Sequence, residues 1–370
     1  MGITDKISHA AERKAFETIP DGKWAHYTQR LIRENDPYIL KTFLTNAAYE
    51  GGFRGYQTAQ ETAEKYDINV PWLILMDPTS ACNMHCTGCW AAEYGHKQSL
   101  TFEEMDRVLT EAKALGTHAC LFTGGEPLLR KKDIIRLCEK HRDMAFHAFT
   151  NGTLIDEEFC QEMLRVGNFF VSISVEGFEE ANDGRRGRGH FQKVLDAMDL
   201  MRSHRIPFGV SICYTSRNYK VVTSDEFLDL LIDKGCVFAW YFRYIPVDNN
   251  ADTSLLLTPE QRTYMKDRVR EIRGVTGGKE LYCIDFQNDG EFAGGCVAGG
   301  RPAVGSGASI TRTLQSYSGE PAILLYKSAG GTHCMRPSRS SLLPGGTPGG
   351  ATSRCFCGAA RRYALSTGTI

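Results

Sequence analysis

The chain has 370 residues, of which 42% are hydrophobic and 24% are charged, and its 43 Lys and Arg residues nearly balance its 44 Asp and Glu residues. This length allows two or three domains, or one large α/β barrel with attachments, and excludes a single small module. The net charge of −1 gives no basic field for nucleic acid, and no apolar run approaches the roughly 18 residues that a membrane span needs. We therefore expect neither a nucleic-acid partner nor a membrane partner.

The cysteine content predicts the compartment and the kind of chemistry. The first twenty residues mix charges and contain no apolar signal segment, so we expect a cytoplasmic protein. In that compartment, 13 cysteines favour reduced thiols and metal binding over a disulfide framework.

The predicted elements change character along the chain. Residues 1–71 show apolar residues at helical spacing and predict a helical N-terminal segment. Residues 72–250 contain β-rich runs separated by amphipathic helices, and the runs lie at 72–76, 119–123, 146–150, 169–175, 208–214 and 237–245. This alternation predicts an α/β fold, a partial (β/α)6 TIM-like barrel with its site at the carboxyl ends of the strands.

Three cysteines follow the first predicted strand with the spacing Cys82-x3-Cys86-x2-Cys89. Three thiolates on one loop can hold a metal or a cluster, and a cubane that usually takes four cysteines would keep one iron open. Two other classes stay open here. Cys86 and Cys89 alone suit a thiol oxidoreductase, and the three cysteines with His85 or His96 suit a zinc-binding interaction module.

Polar or glycine-rich motifs end the next three predicted strands. Gly124-Gly125-Glu126 follows the second, where two glycines let the backbone approach a ligand and Glu126 offers an acceptor for an ammonium group; alternatively it is a βα turn. The segment 150–152 (Thr-Asn-Gly) suits a turn or a site equally. In the fourth strand Ser174 and Glu176 share a face with Ser172, and in a barrel this polar face should point inward.

Over about residues 72–250 these motifs, in this order, resemble the radical SAM superfamily. The resemblance implies a [4Fe-4S] cluster on Cys82, Cys86 and Cys89, with S-adenosyl-L-methionine (SAM) bound at its open iron. It also implies that one electron from the cluster cleaves SAM to a 5′-deoxyadenosyl radical, which abstracts hydrogen from a substrate. The expected partners are an unidentified small-molecule or peptide substrate and an electron donor such as flavodoxin or ferredoxin.

The same resemblance suggests which residues bind SAM. It assigns the amino group to the Gly-Gly-Glu motif, and the carboxylate and ribose to the serine and acid of the fourth strand. Arg185 could reach the carboxylate, although residues 183–188 also read as a solvated glycine-rich loop. Trp90 could stack near adenine, because Gly88 stands where many members have an aromatic residue, or it could be core. The expected set is Gly124, Gly125, Glu126, Ser174, Glu176, Arg185, Ser211 and Trp90, where Ser211 belongs to a small-residue face of the fifth strand.

The region after residue 250 is less regular. Residues 251–301 resemble the start of a SPASM-type extension, which implies the alternative of a peptide-modifying maturase with an auxiliary cluster beginning at Cys296. Residues 302–370 contain a single acidic residue, Glu320, and are rich in Gly, Ser and Pro, which predicts a disordered or out-of-frame tail. The tail also holds the further candidate ligands Cys334, Cys355 and Cys357.

The remaining candidates are read as packing residues. His147 is expected in the core or the lumen, and the aromatic residues of the sixth strand, Trp240, Tyr241, Phe242 and Tyr244, are expected half in the core and half on a substrate wall. We expect the other cysteines of the barrel to be buried hydrophobes; they are Cys120, Cys138, Cys160, Cys213, Cys236 and Cys283.

Overall fold

The computed structural model describes residues 22–66, 68, 70–89, 91, 98–246, 251–274 and 278–289. Trp90 and the C-terminal cysteines from Cys296 onward lie outside the described residues, as does the whole predicted tail. Within the described ranges, no helix has the length and apolar character needed to cross a membrane.

Between residue 22 and the sheet, the described residues form a helical lead-in of three α-helices and a π-helix. They are α1 (Lys23–Glu34), α2 (Pro37–Leu44), the π-helix Thr45–Gly55 and α3 (Tyr56–Tyr66). The buried Arg30 of α1 donates hydrogen bonds to the carbonyl oxygens of Glu280, at 2.7 Å, and Cys236, at 3.3 Å. Asn46 donates to two carbonyl oxygens of the loop that precedes the third strand. The lead-in is therefore packed against the sheet through buried polar contacts.

In the described part of the chain, seven strands form one parallel sheet in sequence order. They are β1 (Ile74–Met76), β2 (Ala119–Phe122), β3 (Ala145–Thr150), β4 (Phe169–Ser174), β5 (Gly209–Tyr214), β6 (Phe238–Arg243) and β7 (Tyr282–Asp285). The first six lie where the sequence predicts strands, and β7 adds one strand beyond the six predicted. The expected partial barrel is confirmed as a curled half-barrel.

Helices connect consecutive strands on the outside of the sheet. They are α4 (Phe102–Ala114), α5 (Lys131–Lys140), α6 (Glu157–Val166), α7 (Glu179–Arg186), α8 (His190–Ser203), α9 (Asp225–Asp233) and α10 (Pro259–Arg273). Local sequence explains several helix starts. Thr101 and Glu104 form a reciprocal capping box at α4, and Thr258 and Gln261 form one at α10, so orphan amide groups are satisfied at both starts.

Ring contacts show the direction in which the sheet curls. Strands β3 and β6 are three positions apart in the sheet, so in a flat sheet they would be separated by about 14 Å. Yet the ring centroids of Phe149 and Trp240 are 5.3 Å apart, and those of His147 and Phe238 are 5.7 Å apart. These four residues therefore lie on the concave face. Because paired residues of parallel strands share a face, the register places Ser172, Ser174 and Ser211 there too.

Candidate functional site

The three cysteines lie on the loop that leaves β1, here called the cysteine loop (residues 77–89). All three thiols are free and partly exposed. Burial raises the pKa of Cys82, and the charges of Glu126, Cys86 and Cys89 raise it further. Burial also raises the pKa of Cys86, while the Arg186 guanidinium opposes that shift. In the described parts of the chain, no three His, Cys, Asp or Glu side chains stand in a ready-made metal arrangement. The loop therefore carries three free thiols at the carboxyl end of β1.

The Gly-Gly-Glu turn (residues 124–126) packs directly on the cysteine loop. The amide of Gly125 donates to Thr79 O at 3.0 Å, and the amide of Glu126 donates to Ala81 O at 2.8 Å. Gly124 has φ +106°, and a Cβ built there would lie 2.6 Å from Thr79 O, whereas one on Gly125 would overlap Ala81 O. The glycines are therefore needed for close approach of two backbones, and this requirement holds whether or not a ligand is bound.

Glu126 is a buried carboxylate with neutral donors around it. Its Oε1 accepts hydrogen bonds from the Leu128 amide at 3.0 Å and the Thr150 hydroxyl at 2.7 Å, and its Oε2 accepts one from the Asn151 amide at 2.7 Å. Burial raises its pKa in spite of these donors. Among the described residues no Lys, Arg or His forms an ion pair with it. The Thr-Asn-Gly segment, which the sequence left open between turn and site, thus supports Glu126, and Asn151 also donates to Asn83 of the cysteine loop at 2.8 Å.

Residues 179–186 form helix α7, so the interpretation of this stretch as a solvated loop was wrong. The fully buried Glu176 precedes the helix, and its Oε1 pairs with both Arg185 and Arg186. Its Oε2 accepts the Cys213 amide at 2.9 Å. Burial pushes the pKa of Glu176 upward, but the two guanidinium groups outweigh burial and hold it below its usual value. In this structure the predicted SAM contacts Glu176 and Arg185 are partners of each other.

Sequence reasoning missed two residues at this end of the sheet. Arg186 places Nη1 3.9 Å from Cys86 Sγ, and only the helical spacing of α7 brings it there. Asp77 directly follows β1 and lies beside Gly124, and burial raises its pKa to about 7. A signal for Asp77 existed in the sequence, because it is an acid directly after a short apolar strand.

Small residues line the concave face of β4 and β5. Ser174 pairs in register with Ser211, and both are partly exposed. Cys213, expected to be buried, is also only partly buried because it lies on this face. The other five cysteines predicted as buried hydrophobes are buried: Cys120, Cys138, Cys160, Cys236 and Cys283.

Partly buried aromatic rings from β3, from β6 and from just after β7 lie on the same concave face and form what is here called the aromatic wall. Trp240 and Phe242 stack at 5.5 Å, and Phe149 contacts each of them at 5.3 Å. Phe286, just after β7, contacts Phe242 at 5.3 Å. Below them His147 hydrogen-bonds Ser172 Oγ at 3.0 Å, and burial lowers its pKa to about 3, so its ring is neutral. Tyr241 points the other way, into the helix-covered core.

The fold and the site together define a parallel half-barrel with a three-cysteine loop and a Gly-Gly-Glu turn at the strand ends. Residues 76–231 match the family model described as the Radical SAM superfamily. The match covers 156 of the 370 residues, so it identifies a radical SAM domain within the chain, and members of that superfamily use a [4Fe-4S] cluster and SAM.

Two curated relatives and one solved structure illustrate the match. The chain is 26% identical over 230 residues to the Fe-coproporphyrin III synthase of Methanosarcina barkeri, covering 60% of this chain and 57% of the relative. It is also 26% identical over 230 residues to the sporulation killing factor maturation protein SkfB of Bacillus subtilis, covering 60% and 54%. Streptococcus suis SuiB bound to S-adenosylmethionine shares the fold, with a TM-score of 0.52, 17% identity, and coverage of 67% and 61%. The chain spans about half the length of the first curated relatives, at 57%, 51% and 52%.

Proposed function

We propose that this chain is a radical SAM enzyme whose cluster is held by Cys82, Cys86 and Cys89. The observation that carries the proposal is the pair of main-chain hydrogen bonds that joins the cysteine loop to the Gly-Gly-Glu turn. They hold the stretch before Cys82 against the Gly-Gly-Glu turn at the carboxyl end of a parallel sheet, where α/β folds place their sites.

The residues present suit both cofactors. Partly exposed free thiols on one loop are the donors that iron–sulfur clusters take. Glu126 is a buried acid whose pKa is raised by burial although the charge of Arg186 opposes this, it forms no ion pair among the described residues, and its Oε2 accepts a single hydrogen bond there. An ammonium group, such as that of SAM, would supply the missing positive charge.

Each part of the site has a separate task. When bound, the reduced cluster and SAM supply a one-electron cleavage that yields a radical able to abstract hydrogen. The chain positions the cofactors through the cysteine loop, Glu126 and the small-residue face with Ser174 and Ser211. The aromatic wall excludes water and contacts the apolar part of the substrate.

The substrate class is supported only in outline. One relative is named for a porphyrin-related synthase and another for maturation of a killing factor, so a small molecule or a peptide fits the proposal. The cytoplasmic location and the flavodoxin or ferredoxin donor belong to the same proposal. The auxiliary cluster of the maturase alternative and the out-of-frame tail concern cysteines outside the described residues, and they stay predictions.

The test is anaerobic reconstitution of the full chain with iron and sulfide. The parent should show the brown iron–sulfur absorption and produce 5′-deoxyadenosine from SAM when reduced. Cys86→Ala should lose both while remaining folded, because Cys86 lies on a loop. Cys138→Ala, at a fully buried position on α5, is the matched control and should keep both at a packing cost of about 1–2 kcal/mol. A colourless zinc protein, or full activity in Cys86→Ala, would contradict the proposal.

A further inference from the structure

A cationic bridge connects the end of β4 to the cysteine loop. Arg186 donates to Glu176 Oε1 through Nε at 2.9 Å and Nη2 at 2.5 Å. Its third nitrogen, Nη1, lies 3.9 Å from Cys86 Sγ. The guanidinium is therefore held by a carboxylate on one side and aimed at a cysteine sulfur on the other.

The surroundings fix this orientation. The Cys213 amide occupies Glu176 Oε2, so the carboxylate cannot turn away without losing a buried hydrogen bond. Asn182 Oδ1 accepts a hydrogen bond from the Glu176 amide at 3.1 Å, which anchors α7 to the end of β4. The amide of Thr87, next to Cys86, donates to Arg185 O at 2.9 Å. Helix α7 and the cysteine loop are thus joined through main chain as well as side chain.

The bridge also carries an excess of positive charge. Glu176 contributes one negative charge against the two positive charges of Arg185 and Arg186, and all three side chains are largely shielded from water. Of these two arginines, Arg186 is the one with a hydrogen-bond contact to Cys86. Arg185 shares the same carboxylate without that contact, and because its charge also acts on Cys86, it is a control for the hydrogen-bond contact rather than for the charge.

We infer that Arg186 is a positioning residue that raises the reduction potential of the cluster held by Cys86, with Glu176 as its clamp. The inference rests on the proposed function. Reduction adds one electron to the cluster, and Arg186 keeps its protons in both states. A nearby cation that donates to a cysteine sulfur stabilises the more negative, reduced state, because hydrogen bonds and net charge at the sulfurs set cluster potentials.

The experiment is a redox titration of the reconstituted full chain, without SAM, followed by electron paramagnetic resonance. Arg186→Gln should have a more negative midpoint potential than the parent. The midpoint potential of Arg185→Gln should shift in the same direction by clearly less, although each variant removes one positively charged partner of Glu176. Arg188→Gln, which removes an exposed charge two residues beyond α7, should match the parent.

A second pair of variants guards against misfolding. Arg186→Lys keeps the charge but loses the forked donors, so its midpoint should fall between those of the parent and Arg186→Gln, whereas Arg185→Lys should match the parent. Equal shifts of the midpoint potential in Arg186→Gln and Arg185→Gln, or no shift in Arg186→Gln, overturn the inference. If the parent shows no iron–sulfur absorption, the proposed function and the inference both fail. If the parent holds a cluster but the Arg186 variants have the same midpoint potential as the parent, the inference alone fails.

Discussion

The substitution Glu126→Gln probes the buried carboxylate of the Gly-Gly-Glu turn. A carboxylate can accept all three hydrogen bonds that Glu126 receives, but glutamine has a single acceptor oxygen. If the amide nitrogen takes the Oε2 position, it faces the Asn151 amide. If it takes the Oε1 position, it faces the Leu128 amide. In either orientation one main-chain N–H loses its acceptor.

Glu126→Gln should therefore lower the free energy of unfolding and, through the proposed ammonium contact, the affinity for SAM. An unsatisfied buried donor costs about 1–3 kcal/mol, so the free energy of unfolding should fall by that amount even in the apoprotein. The lost charge also removes a charge-assisted hydrogen bond to the SAM ammonium, about 1.5–3 kcal/mol, which corresponds to roughly a ten- to hundredfold weaker SAM affinity.

Chemical denaturation of the apoprotein measures the first loss, and calorimetric SAM binding to reconstituted protein measures the second. Thr150→Val is the matched control, because it removes one donor to the same carboxylate and leaves the charge in place. It should lose stability but bind SAM as the parent does. Parental stability and parental SAM affinity in Glu126→Gln would refute both the hydrogen-bond argument and the ammonium assignment.

Three further substitutions test other parts of the structure. Gly125→Ala should abolish cluster assembly because its methyl group would overlap Ala81 O, whereas Gly184→Ala on α7, which meets nothing within 4 Å, should be tolerated and gain about 0.5–1 kcal/mol of helix stability; iron content and thermal melting check both. His147 has a folded pKa of about 3 against about 6.5 unfolded, so below pH 6.5 the unfolded state binds a proton that the folded state does not. Between pH 7 and pH 5 the parent should lose about 2 kcal/mol more unfolding free energy than His147→Gln, and identical pH profiles would contradict the neutral ring. Arg30→Ala should destabilise the protein by about 1–3 kcal/mol in urea unfolding, since it removes a donor from the buried Cys236 carbonyl and from the part-buried Glu280 carbonyl, whereas exposed Arg33→Ala should cost little.

The sheet could be predicted because each of its first six strands is an apolar run followed by a helix with its own pattern. The strand β7 was missed because it lies beyond the regular alternation of strands and helices and ends in an acidic residue, and its pairing depends on β6 rather than on local sequence.

The order of the site motifs was also readable from the sequence, but their contacts were not. Chain order placed Cys82, Glu126 and Glu176 after the first, second and fourth strands. The pairing of Glu176 with two arginines depends on α7, which begins at Glu179 and turns both side chains back toward the strand end. Its glycine and polar residues favour a loop when read alone, and the packing of the helix against its neighbours decided otherwise.

The junction between the cysteine loop and the Gly-Gly-Glu turn limits how the site can change during evolution. The spacing of these two segments is set by amide-to-carbonyl bonds and by the absence of side chains at Gly124 and Gly125. Substitutions elsewhere in the site leave those bonds in place, so they alter charge and hydrogen bonding while the separation of the two segments stays constant. Amino-acid substitutions elsewhere in the site should therefore change the energy of the proposed electron transfer and the choice of substrate. They should not change the distance between the cysteine loop and the Gly-Gly-Glu turn.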